Sequence, residues 1–275
     1  MITMIQKMIL VYLLMLPGTV FAGNVANENG ILLMTLNVAH ARARGSFQLF
    51  QTDDEARAHL TSIAAVINRE RPDIVAFQEL DRDSFWNGHF DHGKFIARKT
   101  NFSNWFTGTH QSGINLDYGT GLMSKFGLQE QTSVIFKRAF ARPRKGFVLS
   151  TIDWPEKDDI KVDLISLHLD PISRSKRKTE LNTLLETMDS RDNLRIIMGD
   201  FNMQYGEQKT LIANLTTSLD LHAWRPMEKD LVTFQRSGKR LDWILVSREF
   251  EFLRYEVLGD AVSDHQPVLA EITLL

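Results

Sequence analysis

Three short runs constrain this chain more than anything else in it: Ile31-Leu32-Leu33-Met34-Thr35-Leu36-Asn37, Asp73-Ile74-Val75-Ala76-Phe77-Gln78-Glu79 and Arg195-Ile196-Ile197-Met198-Gly199-Asp200. Each is apolar at successive positions over fewer residues than a typical helix, so each reads as a strand buried on both faces. Each also closes on a side chain that can bind a cation or move a proton. In the third run Gly199 is expected to end the strand and let the backbone turn. Asp200 and Asn202 then project from the strand exit. Two oxygen-bearing side chains at that spacing suit a hard cation, or a water held beside a phosphate. A plain turn uses the same residue types, so the remainder of the chain has to decide between them.

Between these runs the pattern is helical. Thr52-Asp53-Asp54-Glu55 is a capping box, and Ala56, Leu60, Ile63 and Ile67 follow at helical spacing, predicting a helix to about Arg71 with Pro72 as its stop. Residues 173–188 read as a second helix with Leu181, Leu184, Leu185 and Met188 as its buried stripe. Arg174, Lys176, Arg177 and Lys178 crowd its first turns, where the helix dipole disfavours cations. A short helix is expected over 207–215. Strands are expected over 119–126, 131–136, 146–152, 160–168, 241–246, 251–258 and 268–274, mostly antiparallel. Residues 81–118 read as long loops around one short helix, forming the rim of a cleft. With no internal repeat or linker, residues 23–275 are expected to form one α/β domain.

The first 22 residues are of another kind. Lys7 precedes an apolar stretch, Met8-Ile9-Leu10-Val11-Tyr12-Leu13-Leu14-Met15-Leu16, then Pro17-Gly18, then Val20-Phe21-Ala22. This is the pattern of a signal peptide cleaved after Ala22, and it predicts an exported, periplasmic or secreted protein. The apolar stretch is too short to span a bilayer as a stable helix. The 275 residues contain no Cys, so disulfides, thiolate nucleophiles and thiolate metal sites are excluded. A formal net charge of -2 carries no bulk signal for nucleic acid, although a local basic face would suffice.

Asn37, Glu79, His168, Asp200, Asn202, Asp264 and His265 each stand at or just beyond the end of an apolar strand, and Asp242 stands near the start of one. Strand ends of a sheet converge on one rim, where clefts form. The segments that carry these residues are Thr35-Leu36-Asn37, Val75-Ala76-Phe77-Gln78-Glu79, Tyr118-Gly119-Thr120-Gly121-Leu122-Met123-Ser124, Ser166-Leu167-His168-Leu169-Asp170, Gly199-Asp200-Phe201-Asn202, Leu241-Asp242-Trp243-Ile244 and Ser263-Asp264-His265-Gln266-Pro267-Val268. In this order the set resembles the endonuclease/exonuclease/phosphatase superfamily, which includes DNase I-like nucleases, inositol-phosphate phosphatases and bacterial sphingomyelinases. The resemblance spans residues 31–275.

That resemblance implies a four-layer α/β sandwich, two packed and mostly antiparallel β-sheets flanked by helices. It implies a metal-dependent phosphoester hydrolase, in this case an exported bacterial-type member. Glu79 would be the principal metal ligand with Asn37 beside it, and Asp264 a further carboxylate able to reach the metal. All are oxygen donors, which points to Mg²⁺, with Mn²⁺ as a substitute. His265 resembles the general base and Asp242 the carboxylate that orients it. Asp200 would orient the attacking water, Asn202 would hold a phosphate oxygen, and His168 would contact the phosphate. Tyr118 and Asp170 are open between a role and none. His40, His59, His89, His92, His110 and His222 are unassigned.

The substrate is expected to be a phosphodiester, either nucleic acid or a phospholipid headgroup. Arg42, Arg44, Arg142, Arg144, Lys145 and the cluster over 174–178 would serve a nuclease as phosphate contacts. Phe85, Trp86, Phe90, Phe102, Trp105 and Phe106 would serve a sphingomyelinase-like phosphodiesterase at a membrane interface, with about half of them in the core. A non-catalytic binding module on the same fold is the other class of reading, and the presence of Glu79, Asp242 and His265 argues against it.

Overall fold

The computed structural model describes residues 30–43, 51–113, 116–138, 142–205 and 209–275. The expected signal segment over residues 1–22 lies outside them, as does Arg44. Six strands make the first sheet: β1 (Ile31–Asn37), β2 (Ile74–Ser84), β3 (Asn104–Gln111), β4 (Leu116–Ser124), and two C-terminal strands, Phe250–Val257 and Val268–Leu274. Six more make the second: β5 (Gln129–Ile135), β6 (Gly146–Trp154), β7 (Lys157–His168), β8 (Leu194–Asp200), β9 (Leu221–Ala223) and β10 (Asp242–Ser247). With the C-terminal strands as β11 and β12, the orders are β11-β12-β1-β2-β4-β3 and β5-β6-β7-β8-β10-β9. Each sheet has one parallel pair at its centre, β1 with β2 and β7 with β8, and antiparallel pairs elsewhere.

A parallel pair needs a crossover, and in both sheets a helix supplies it. Helix α1 (Asp53–Glu70) joins β1 to β2. Its capping box forms as read: Thr52 Oγ1 accepts from Glu55 N at 3.3 Å and Thr52 N donates to Glu55 Oε2 at 2.8 Å. Arg71 then takes a left-handed cap before Pro72. Helix α2 (His92–Thr100) packs beside it. Helix α3 (Arg174–Met188), capped by Ser173, joins β7 to β8, and α4 (Lys209–Ser218) follows β8. The expected stripe on α3 is buried at Leu181, Leu184 and Met188, with Leu185 only partly so.

The sheets pack face to face, and the two-residue period of the strands sorts side chains between layers. Leu33, Ile74, Ala76, Leu164, Ile196, Met198, Ile244 and Val246 point into the central gap. Met34, Val75 and Phe77 point outward under α1 and α2. Ile165, Ile197, Trp243 and Leu245 point outward under α3 and α4. The result is the expected α/β sandwich, helices outside and two sheets within.

Three readings need correction. Residues 81–118 are not mainly loops: β2 continues to Ser84, and β3 occupies 104–111 as the edge strand on β4. Its alternation is masked because Asn104, Thr107, Gly108 and Thr109 are polar or small along a sheet edge. Phe102 joins the core while Phe85 and Trp105 stay exposed. Nor does β8 end at Gly199. Pairing runs through Leu167 with Gly199 and His168 with Asp200. Gly199 has φ 145°, and a Cβ there would meet Leu167 O at 2.0 Å. The glycine thus permits close parallel pairing, not a turn. The fourth helix runs over Lys209–Ser218, past the expected end at 215, while 207–208 lie outside the described residues.

Asp163, fully buried on β7, accepts from Thr151 Oγ1 at 2.9 Å, Asn193 Nδ2 at 2.9 Å and both Arg191 Nε (2.6 Å) and Nη2 (2.8 Å). Burial works to raise its pKa, but the bonds from Arg191, Asn193 and Thr151 outweigh it and the pKa falls below 3.8. A depressed carboxylate stabilises the fold above its unfolded pKa, and that contribution disappears as pH falls through the folded value. Arg191→Met leaves a buried carboxylate short of its cation. It is expected to cost about 3 kcal/mol at pH 7 by urea denaturation, and to move acid unfolding to higher pH.

Candidate active site

The same strand period that fills the gap with apolar side chains carries polar ones into it at one end. Asn37 follows Leu33 and Thr35 on the inner face of β1. His168 follows Leu164 and Ser166 on β7, Asp200 follows Ile196 and Met198 on β8, and Asp242 precedes Ile244 and Val246 on β10. Just behind them Gln78 Nε2 donates to Thr35 Oγ1 (3.3 Å) and Ser166 Oγ (3.2 Å), and Ser166 Oγ donates to Phe77 O (2.8 Å). This small buried network ties the two sheets together at the base of the site.

Glu79 reaches the site by a different route. The β2–β4 register slips between Gln78 and Leu80, leaving Glu79 as the extra residue of a bulge with φ 52°. A bulge re-aims a side chain and commonly sits beside an active site. Glu79 Oε1 lies 3.2 Å from Lys145 Nζ, and Oε2 lies 3.4 Å from His40 Nε2 and 3.8 Å from Arg42 Nη2. Burial works to raise its pKa, but these neighbours, His40 and Lys145 foremost, hold it well below the usual carboxylate range.

Asp200 is the hub of the opposite wall. Its Oδ2 lies 3.1 Å from Asn37 Nδ2, 3.4 Å from His168 Nε2 and 3.8 Å from His265 Nε2, while Oδ1 accepts from Asn202 N at 2.8 Å. Burial lifts its pKa to about 7, with Asp242 adding to the effect and His265 opposing it. His265 Nδ1 lies 2.8 Å from Asp242 Oδ2. Burial disfavours a charged imidazole there, but Asp242 and Asp200 outweigh it and push His265 up to about 10. His168 is the reverse case. Burial and the Lys145 ammonium, 3.3 Å from Nδ1, hold its pKa well below the usual imidazole range, so it is neutral.

A pocket of about 410 Å³ opens between these walls. Asn37, Glu79, His168, Asp200, Asn202, Asp264 and His265 all line it, so seven of the eight residues singled out from sequence share one cleft. Asp242 stands behind His265, fully buried. Asn202 Nδ2 donates to Leu169 O at 2.9 Å, which commits one amide hydrogen and leaves Oδ1 and the other hydrogen to the pocket. Asp170 is organised otherwise: it accepts from Ile172 N, Ser173 N and Arg142, shaping the loop before α3. Tyr118 lies edge-on to His40, and its hydroxyl is not part of the lining. His92 and His110 are core residues, and burial takes His110 down to about 3.

Several residues of the site escaped the sequence reading. Phe234 tilts over the His265 ring at 4.7 Å. Thr233 Oγ1 accepts from Leu241 N and Asp242 N, and Thr233 O accepts from Gln266 N, so this segment clamps both members of the Asp–His pair. Nothing in a Thr-Phe dipeptide announces that. Arg177 explains part of the misplaced basic cluster on α3: it is buried, donates Nη1 to Asp170 O at 2.7 Å and lines the pocket.

A family model described as the endonuclease/exonuclease/phosphatase family matches residues 34–265. The chain belongs to this family. No curated protein matches its sequence. Among solved structures, an endonuclease/exonuclease/phosphatase from Beutenbergia cavernae superposes with a TM-score of 0.72 at 21% identity, covering 90% of this chain and 72% of that one. A mannosyl-6-phosphatase from Bacteroides thetaiotaomicron gives 0.67 at 18% identity, covering 89% of this chain and 100% of that one. The catalytic domain of human Nocturnin gives 0.66 at 18% identity, covering 90% and 95%. At such identities the likeness is one of fold: the hydrolase fold of the endonuclease/exonuclease/phosphatase family.

Enzymes of this family generally use a divalent metal, and the donor chemistry fits one. Asn37, Glu79 and Asp264 bring hard oxygens to one pocket in a chain without a thiol. Among the described residues, a different group also brings ligand-type atoms together: Asp200, Asp242 and His265, all within 4.8 Å of one another. In that group Asp242 Oδ2 is already engaged by His265 Nδ1, though Asp242 Oδ1 is buried without a hydrogen-bond partner among the described residues. An imidazole held by a carboxylate suits proton transfer, whereas the oxygens of Asn37, Glu79 and Asp264 are of the kind hard cations take.

The Asp242 carboxylate is a main cause of the raised His265 pKa. In EDTA, ¹⁵N NMR of His265 is expected to show the protonated ring through pH 8 in the wild type. Asp242→Asn is expected to lower the midpoint by more than one unit.

Proposed function

We propose that this protein is an exported, divalent-metal-dependent phosphodiesterase in which His265 is the general base. The observation that carries the reading is the convergence of His265, Asp200, Asn37 and Glu79 on one pocket, with His265 Nδ1 fixed from behind by Asp242 at 2.8 Å and Nε2 turned toward Asp200 at 3.8 Å. Phosphoester hydrolysis requires charge neutralisation, an activated water and a stabilised leaving oxygen. Glu79, Asn37 and Asp264 would hold Mg²⁺, or Mn²⁺ in its place. The cation, when bound, supplies the charge neutralisation.

The protein's own residues account for the rest. Asp200 and His265 hold one exchangeable proton between buried atoms. With that proton on Asp200, His265 Nε2 is free to take a proton from water as it attacks phosphorus in line, and the opposite P–O bond breaks, its oxygen leaving to take a proton from solvent. Asp242 fixes the ring and favours the imidazolium that results. Asp200 and Asn202 orient the water and a phosphate oxygen. His168, neutral, presents an N–H from Nε2 when Lys145 donates to its Nδ1, which suits a contact to a phosphate oxygen. Arg42, Arg177 and Lys239 also line the pocket, and their charge favours a phosphodiester with further anionic groups nearby, as in nucleic acid or a phospholipid headgroup. Export rests on the sequence pattern of residues 1–22.

The test is a substrate panel with Mg²⁺ or EDTA: bis-p-nitrophenyl phosphate, plasmid DNA, RNA, sphingomyelin and phosphatidyl lipids. Hydrolysis is expected with Mg²⁺ and lost in EDTA, and His265→Ala is expected to lower kcat/KM by about 10²–10⁴-fold. DNA or RNA cleavage selects a nuclease; release of a phosphorylated headgroup selects a lipid phosphodiesterase. Activity that survives both His265→Ala and Glu79→Gln overturns the proposal.

A further inference from the structure

Behind Glu79 stands a second Asp–His pair that the mechanism above does not use. His40 Nδ1 lies 2.7 Å from Asp81 Oδ1, and His40 Nε2 lies 3.4 Å from Glu79 Oε2. Both residues are buried, Asp81 completely. The other Asp81 oxygen accepts from Trp86 Nε1 at 3.1 Å and from Asn87 Nδ2. The imidazole is further boxed edge-on by Tyr118, 4.5 Å between ring centres, and by Trp86 at 5.6 Å. His40 is not among the residues lining the pocket, so it meets Glu79 rather than a substrate.

The backbone that places His40 is costly. Ala39, His40 and Ala41 have φ of 46°, 55° and 61°, three successive non-glycine residues in the left-handed region. Such conformations persist only where the surroundings impose them, and they gather at functional sites. Asn37 Oδ1 accepts from Ala39 N at 3.0 Å, so this turn is anchored on one proposed cation ligand while its His40 abuts another. Glu79 itself sits on a bulge, where backbone pairing does not fix its side chain. Side chains must hold that carboxylate: Lys145 Nζ donates to Oε1 at 3.2 Å, and His40, fixed by Asp81, stands at the other oxygen, Oε2.

We infer that His40, fixed by Asp81, is a positioning residue that sets the Glu79 carboxylate in the orientation a divalent cation needs. The inference rests on the reading of Glu79 as a cation ligand. Partners that hydrogen-bond a ligating carboxylate fix its direction, and removing them commonly weakens metal binding by about 10–100-fold.

Isothermal titration of the full chain with Mn²⁺ tests this, with wild type, Glu79→Gln, His40→Ala, His40→Gln and Asp81→Asn in parallel. Glu79→Gln is expected to lose binding. If it binds Mn²⁺ as the wild type does, the reading of Glu79 fails, and with it the role of His40. If Glu79→Gln loses binding, His40→Ala and Asp81→Asn are expected to raise the dissociation constant by about 10–100-fold, and His40→Gln, which keeps an N–H at the Nε2 position, to recover most of the loss. Dissociation constants for His40→Ala and Asp81→Asn within about twofold of wild type overturn the positioning role alone. Melting curves in EDTA and in a fixed Mn²⁺ concentration separate positioning from general support of the fold. A positioning residue shrinks the Mn²⁺-induced rise in Tm, whereas a structural one lowers both curves and leaves the rise intact. If Asp81→Asn does not fold, the comparison of His40→Ala with His40→Gln decides.

Discussion

The alternation of side chains along the four central strands is the constraint on which the site depends. A strand sends every second residue to the same face, and in β1, β7, β8 and β10 that face looks across the gap between two sheets. Leu33, Leu164, Ile196 and Ile244 fill the gap with hydrocarbon. Four residues further along β1, β7 and β8, and two residues back along antiparallel β10, the same parity delivers Asn37, His168, Asp200 and Asp242. The packing that stabilises the fold therefore aims the polar groups. Displacing any of these strands by one residue would exchange core and surface along its whole length, so the position of the site is protected by the hydrophobic energy of the entire sandwich. Gly199 has a part in this. Without a Cβ it lets β8 lie against Leu167 O, and the His168–Asp200 pairing at the end of the ladder follows.

Burying so many charges is affordable only because each wall is balanced locally. Asp200 takes donors from Asn37 and Asn202 and faces two imidazoles, one neutral and one held protonated. Glu79 faces Lys145, His40 and Arg42. Lys145 belongs to both arrangements, since its Nζ lies near Glu79 Oε1 and near His168 Nδ1. It therefore lowers the pKa of the carboxylate and of the imidazole with a single charge. A neutral His168 follows from its burial together with that placement, even though an imidazole beside a carboxylate would ordinarily be raised.

The sequence was most informative where a residue's role follows from local pattern. The capping box of α1, the apolar runs of the strands and the polar residues beside their ends are all local, and such signals led to seven residues that line the pocket and to Asp242 behind them. It was least informative where tertiary context decides. Strand β3 carries too little alternation to be seen, because one of its edges is unpaired and part of its surface is solvated. The bulge at Glu79 cannot be read from Phe77-Gln78-Glu79-Leu80, since nothing in those residues says which of them is left out of the ladder. Phe234 and Thr233 belong to a segment with no regular structure of its own, and their function is to clamp residues 241–242 and 265–266. His40 carried no signal, because its partner Asp81 lies 41 residues away on another strand.

The two Asp–His pairs show how access assigns different work to the same chemistry. In both, a buried carboxylate takes Nδ1 and turns Nε2 toward a second carboxylate on a central strand: Asp242 and His265 toward Asp200, Asp81 and His40 toward Glu79. The first pair stands at the pocket surface, so its Nε2 can exchange a proton with whatever enters. The second is flanked edge-on by Tyr118 and Trp86, does not line the pocket, and has its Nε2 against the Glu79 carboxylate. An imidazole that faces a carboxylate and not the pocket is poorly placed to serve as a base in turnover, however well its Nδ1 is held. What it can do is fix the direction of its neighbour. A carboxylate on a bulge, with no ladder to define its angle, is the member of the site for which that service matters most.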